Sequence, residues 1–386
     1  MTTAMPGQRR GWSGLLRRSS FLSMERWRAL VLALRGVTVF GVASVVTWFA
    51  MPSPIGSLAW IPSPAPALDG AYQMNELLAR ATRRFDDDAG HIVGAEDIAF
   101  DAGGHAWSGL ADGRIVRFDD AGVTTVVNTG GRPFGLQFSE RDGLLYVCDA
   151  DLGLLAVDPL KASVTVLANT AEGDGFRFTN NLEIDHKGRV YFTDSSSVWN
   201  KDKFTEDILD QRPTGRVLRY DPDSGETTVL VRELSSANGL ALMPDERSLI
   251  IAETGRYRLW RLWLEGDQRN IKEAFIENLP GFPANLSVSP RGTIWVAMAS
   301  TRKRVLDAIH PSPFFKDAVA TLPQPLRPQP VRWGFVLEVD AEGRALRSLQ
   351  DPSGRIVASV SAAHERDGVL WLGSQADRGL ATVTLP

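Results

Sequence analysis

Four residues spread along the chain share a chemical type and a setting that could do chemistry. Glu96 lies in Val93-Gly-Ala-Glu-Asp-Ile98, Asn180 in Thr179-Asn-Asn-Leu182, Asn238 in Ser236-Ala-Asn-Gly-Leu240, and Asn285 in Phe282-Pro-Ala-Asn-Leu286. Each stands just before a short apolar stretch that reads as a strand. A ring of carboxylate and amide oxygens suits a hard dication such as calcium. The same residue types also favour turns ahead of strands, with no ligand involved.

Among five histidines, His364 precedes the apolar run Val369–Gly373 and is the best placed general base, with His105 as the alternate. Either could instead be a loop histidine bonded to backbone. Ser195-Ser-Ser197 lacks the Gly-x-Ser-x-Gly elbow of a serine nucleophile. Cys148 is the only cysteine, which excludes an internal disulfide and a cysteine-based zinc cluster; it reads as a small core residue. No P-loop or dinucleotide-binding fingerprint is present.

The elements that must position these residues repeat. In Thr179–Asp194, a short strand Leu182-Glu-Ile184 is followed by the turn Asp185-His-Lys-Gly188 and a second strand, Arg189–Thr193. Gly188 supplies the positive φ such a turn needs. Similar strands recur, and Trp107, Tyr146, Tyr191, Ile250, Trp295 and Trp371 mark equivalent points, with spacings of 39, 45, 59, 45 and 76 residues. Most are followed by a further strand, such as Gly153–Asp158 or Arg258–Trp263. A period near 40–50 residues with several strands per unit predicts propeller blades, six in number. A tandem β-sandwich would not require six matching units. The long spacings mark insertions at residues 195–214 and 299–332, the second with a helical pattern over Arg302–Ile309; long insertions in a compact domain are often lids.

The stretches Asn180–Asp194, Ser236-Ala-Asn-Gly-Leu-Ala241, Asn278-Leu-Pro-Gly-Phe-Pro-Ala-Asn-Leu286 and Val360-Ser-Ala-Ala-His-Glu-Arg-Asp-Gly368 resemble the strictosidine synthase-like proteins. The resemblance covers roughly residues 90–386. It implies an all-β, six-bladed propeller related to paraoxonases and gluconolactonases, in which a central calcium polarises an ester or lactone carbonyl. Glu96, Asn180, Asn238 and Asn285 match the ligand positions. Ala284 departs from the family's Pro-Asp-Asn motif, and Asn181 stands where an Asp is common. Fewer carboxylates weaken calcium binding. Ser361 stands where plant strictosidine synthase has a glutamate, so amine–aldehyde condensation is not expected. The expected activity is calcium-dependent hydrolysis of a small-molecule ester or lactone, of the arylesterase or lactonase kind. The contending reading is a non-catalytic propeller that binds a ligand or protein.

Residues 1–50 carry seven arginines and one acid, Glu25, for a net +6; the overall charge of −4 leaves −10 on the remainder. An acidic main domain argues against nucleic acid as a partner. With 44% apolar and 23% charged residues, wholesale disorder is excluded. Residues 1–28 form a basic segment, and 29–51 read as a transmembrane signal anchor in which Arg35 snorkels, a cleaved signal peptide being the alternative. The basic flank predicts a cytoplasmic N-terminus and an exported propeller. Residues 52–88, with prolines at 52, 54, 62, 64 and 66, read as a stiff linker with helical composition over Asn75–Arg84; 89–386 read as the propeller.

Overall fold

The computed structural model describes residues 27–35, 37, 52–85 and 91–385. Residues 53–385 contain six four-stranded antiparallel sheets arranged as consecutive blades, each built from consecutive strands except the last. The innermost strands are Ala99–Phe100, Pro133–Phe138, Thr179–Ile184, Ala237–Leu242, Gly281–Val288 and Val360–Arg366. Apolar residues alternate out of both faces of each blade, so neighbouring blades share their buried layers. Tyr191 and Val217 of the third blade pack with Leu240, Leu249 and Ile251 of the fourth. Such fully covered β-surfaces bury about 25 cal/mol of stabilisation per Å².

The ring closes by an exchange between the chain ends. Thr82–Arg84 forms the outer strand of the sixth blade, with Arg83 opposite Ala381 of Leu380–Thr384. The helix expected over Asn75–Arg84 is therefore absent: only a single turn, Leu78–Arg80, precedes this strand. The propeller begins at Thr82 rather than at residue 89. Local composition favoured a helix, but an unpaired edge on the last blade favours strand addition more.

The proline-rich stretch is extended, as expected, and it is docked. Ile55 is buried with Ile208, Leu209 and Leu306. Leu58 N–H donates to Asp210 O (2.8 Å) and Trp60 N–H to His310 O (3.0 Å). It acts as a strap across two insertions, which carry the helices Phe204–Asp210, Arg304–Ile309 and Pro313–Ala320. Both insertions join the second and third strands of their blades, so they lie on the face where the inner strands begin. We call this the cap face; the opposite one carries the tight hairpins.

Residues 27–35 and 37 are helical. The rest of the expected anchor, 38–51 with residue 36, and most of the basic segment lie outside the described residues. Among the described residues no helix is long and apolar enough to cross a membrane.

Candidate functional site

Five of the six inner strands carry a register irregularity at the same level. In each, one extra residue is accommodated: between Pro133 and Leu136, Thr179 and Leu182, Ala237 and Leu240, Pro283 and Leu286, and Val360 and Ala362. Bulges turn side chains out of the ladder, here around the propeller axis. Close packing of the inner strands depends on glycine. A Cβ on Gly135 would stand 2.6 Å from Asn181 Cα, and one on Gly239 would stand 2.5 Å from Asn285 Cα.

Glu96, Asn180, Asn238 and Asn285 are all buried at this level. Asn285 Nδ2 donates to Glu96 Oε2 at 3.1 Å, and Asn180 Nδ2 donates to Ser195 Oγ at 3.2 Å. The Oδ1 atoms of Asn180, Asn238 and Asn285 are buried without any hydrogen-bond partner. An orphaned amide oxygen costs about 1–3 kcal/mol, so three on one ring need a cause. One carboxylate with three unsatisfied amide oxygens is the donor set of a hard cation. Among the described residues no cluster of three or more His, Cys, Asp or Glu side chains has metal-holding geometry, so any such site is completed by amides.

Burial, then the neighbouring Asp97, pushes the Glu96 carboxyl up to about 8, against the opposing pull of Arg132. Arg132 is itself spent on carbonyls, donating to Gly94 O (2.9 Å) and Pro133 O (3.1 Å). Glu96 thus lacks a close cationic partner in a place that disfavours its charge. The cap side of the ring leads to a cavity of about 220 Å³ walled by both insertions, with Phe204, Ile208, Phe282 and Leu306 among its apolar lining. Gln375 lines this cavity and its Nε2 donates to Glu96 Oε1 at 3.3 Å. A cleft of about 830 Å³ lies remote from the axis, on the outer strands around Arg219 and Thr228.

Two expectations about these positions are corrected. The asparagines lie inside the inner strands rather than before them; only Glu96 precedes its strand. Nor are the four equivalent: Asn180 and Asn238 stand two residues before the paired Leu182 and Leu240, whereas Asn285 stands one before Leu286. The equivalent residue of the fifth blade is Ala284, which belongs to the apolar cluster of Trp295, Ala297 and Val360.

His364 lies elsewhere. Its Nε2 is 2.9 Å from Asp97 Oδ1, while Asn181 Nδ2 (3.2 Å) and Leu136 N–H (3.3 Å) donate to Asp97 Oδ2. His364, Asp97 and Asn181 line an axial chamber of about 340 Å³ reached along the strands toward the hairpin face. The structure therefore buries the four expected ligands, bonds Asn285 to Glu96 and sets the asparagines at the bulged ends of their inner strands, but puts His364 on the opposite side of them from the cap cavity. Glu183 also lines this chamber, and burial followed by Asp97 raises its carboxyl to about 8. His105, the alternate, is tied to Asp101 (3.0 Å) in a hairpin on that face. Cys148 is buried, and burial raises its thiol well above the usual range.

Several site neighbours take roles that the sequence did not indicate. Ser195 orients Asn180 and donates to Ala237 O at 2.6 Å, so the serine run is tied to one of the expected ligands. Ser361 Oγ donates to Glu96 O at 2.5 Å. Asp207, raised to about 7 mainly by burial, accepts from Ser236 beside Asn238.

A six-bladed propeller with a polar ring at its axial bulges is the class this geometry defines. Family models described as strictosidine synthase and strictosidine synthase-like, N-terminal, match residues 180–267 and 70–118. The adipocyte plasma membrane-associated protein of Salmo salar is 36% identical over 380 residues, 92% of this chain and 90% of that protein. Strictosidine synthase-like protein 3 of Arabidopsis thaliana is 34% identical over 353 residues, 84% of this chain and 90% of that one. The chain belongs to the strictosidine synthase-like family. Among solved structures, a gluconolactonase of Xanthomonas campestris superposes with a TM-score of 0.58 at 17% identity, over 87% of this chain and 99% of that one. A calcium-binding regucalcin of Agrobacterium tumefaciens superposes with 0.55 at 16%, over 79% and 96%. At these identities the likeness is one of fold.

Proposed function

We propose that this protein is a membrane-anchored, calcium-dependent hydrolase of small esters or lactones. One observation carries the reading: three buried amide oxygens without partners, on one ring with a buried carboxylate. Glu96, Asn180, Asn238 and Asn285 would hold the cation. When bound, it would polarise a carbonyl and favour attack by water. The chain's own residues do the rest. Gln375 and Asn285 fix the Glu96 carboxylate, Ser195 fixes the Asn180 amide, and the insertions wall the cavity above the ring. The fold is shared with a gluconolactonase and a calcium-binding regucalcin, which supports the class without naming a substrate.

His364, read from sequence as the general base, is given a different role here. It bonds and positions Asp97 from the chamber side. The anchor at 29–51, with a cytoplasmic N-terminus and an exported propeller, completes the proposal and accords with the membrane association in the relatives' names. A second reading, a non-catalytic binding propeller, is favoured by Ala284, which gives the ring an apolar packing residue where the fifth blade would supply a donor. Aryl esters and lactones assayed on the purified protein with and without chelator separate the two. Chelator-sensitive turnover is expected. Turnover indifferent to chelator rejects the metal, and no turnover on any ester favours the binding propeller.

A further inference from the structure

The cap face carries an excess of apolar side chains in solvent. On the second insertion Phe315 is 53% exposed and stacked edge-on with Phe314, and Leu326 is 68% exposed; Val305, on the helix Arg304–Ile309 that lines the cavity, is also exposed. On the strap, Ile61 is 80% exposed. Water-facing aromatic and aliphatic groups gathered on one face mark an interaction surface. Exposed Arg304 and cavity-lining Lys303 add positive charge beside Val305.

The chain itself indicates the occupant. The uncharged run Gly36–Met51 ends four residues before Ile55, which is buried against the cap helices. Four residues span at most about 14 Å even when fully extended. If the run is held in a bilayer, the cap face cannot stand farther from that bilayer's surface than this. The strap is then pinned by Leu58 to Asp210, Trp60 to His310, and Ser57 Oγ to Asp317 Oδ1 (2.7 Å), so it does not pay out as a spacer.

We propose that the cap face is a lipid-docking surface, set on the bilayer by Phe315, Leu326 and Val305, with the cavity beneath it turned toward lipid. Apolar side chains would enter the headgroup boundary while Arg304 meets anionic headgroups. The proposal rests on the anchor reading of residues 29–51 but not on hydrolysis. A substrate reaching the ring would be drawn from the membrane phase.

The test uses the full chain in vesicles of phosphatidylcholine and phosphatidylserine. Phe315→Cys, Leu326→Cys and Leu160→Cys each receive an environment-sensitive fluorophore; Leu160 is 97% exposed on the hairpin face, and buried Cys148 stays unlabelled. At 315 and 326 a blue shift is expected, with quenching by spin-labelled lipid and loss of quenching by iodide; at 160 the reverse. Iodide quenching at all three sites, in a chain that floats with the vesicles, would overturn the docking and leave the anchor standing. A chain that does not float overturns both. Shielding at 315 that appears without lipid and grows with protein concentration would assign the face to a second copy and overturn the lipid proposal.

Discussion

The two ends of the axial channel are built from adjacent residues of the same strands, yet they are satisfied very differently. Toward the hairpin face, Asp97 is met by His364, Asn181 and the Leu136 amide, and Asn181 Oδ1 accepts from Leu240 N–H at 2.9 Å. Toward the cap, three amide oxygens have no partner and Glu96 has only two amide donors. A folded protein bonds its buried polar atoms wherever function permits. The satisfied end is thus framework, and the unsatisfied end is where the proposed cation would be held.

Breaking the unsatisfied end should give the largest effect. Glu96→Gln removes the ring's only carboxylate with little change in volume. Calcium affinity is expected to fall by on the order of 100-fold, since charge count tunes such sites over decades. Turnover should fall with it. Calcium titrated against melting temperature reads the affinity directly, because a ligand that binds only the folded state raises the midpoint. An undiminished calcium shift in Glu96→Gln would end the ring's assignment.

The opposite change sharpens the comparison. Asn180→Asp or Asn238→Asp adds a carboxylate where an orphaned oxygen already sits, and should tighten calcium by roughly tenfold. If the asparagines merely shape turns, Asp replaces them with no calcium response. The same midpoint titration distinguishes these outcomes.

How much of this was legible in the chain varies with the range of the forces. The second and third strands, such as Ser248–Glu253 and Gly153–Asp158, were readable because buried aliphatic residues bounded by turns specify them locally. So was the blade count. The bulges were not, and a one-residue shift is why Asn285 looked equivalent to Asn180. The alternation that sends His364 into the lower chamber could not be counted before its strand's start at Val360 was known. The strap reads as a linker by composition; its docking depends on Ile55 and Trp60 meeting residues more than a hundred positions away. Thr82–Arg84 pairs with the far end of the chain, which no local window contains.

A smaller effect should appear at the cap in acid. His310 is fully buried, 5.0 Å from the Trp60 ring, with both ring nitrogens unpartnered. Burial, then Lys316, Arg256 and Arg302, lower it from 6.5 to about 3. The fold keeps it neutral, whereas the unfolded chain takes up a proton below its ordinary value. Its contribution is therefore complete above pH 6.5 and is lost as pH falls from there toward 3. At pH 5 the loss should be on the order of 2 kcal/mol. His310→Phe should flatten the fall in melting temperature between pH 7 and 5; an unchanged slope would move the acid sensitivity to another group.

The smallest functional effect is expected at the satisfied end, and it is the one that most directly tests the division. Loss of a working general base costs roughly 10²–10⁴ in rate. His364→Gln, if the histidine only holds Asp97, should lower turnover by less than about tenfold, because the group removed does not touch the reacting atoms. Stability should fall instead, by about 1–3 kcal/mol, since Asp97 stays buried with a weaker partner. Calcium affinity should scarcely change, as none of the four ring residues bonds to His364. Measuring kcat and the denaturation midpoint together separates the cases. A collapse in kcat at unaltered midpoint would restore His364 to the chemistry and erase the distinction between the two ends. A lowered midpoint with near-normal kcat keeps it as the support beneath the ring.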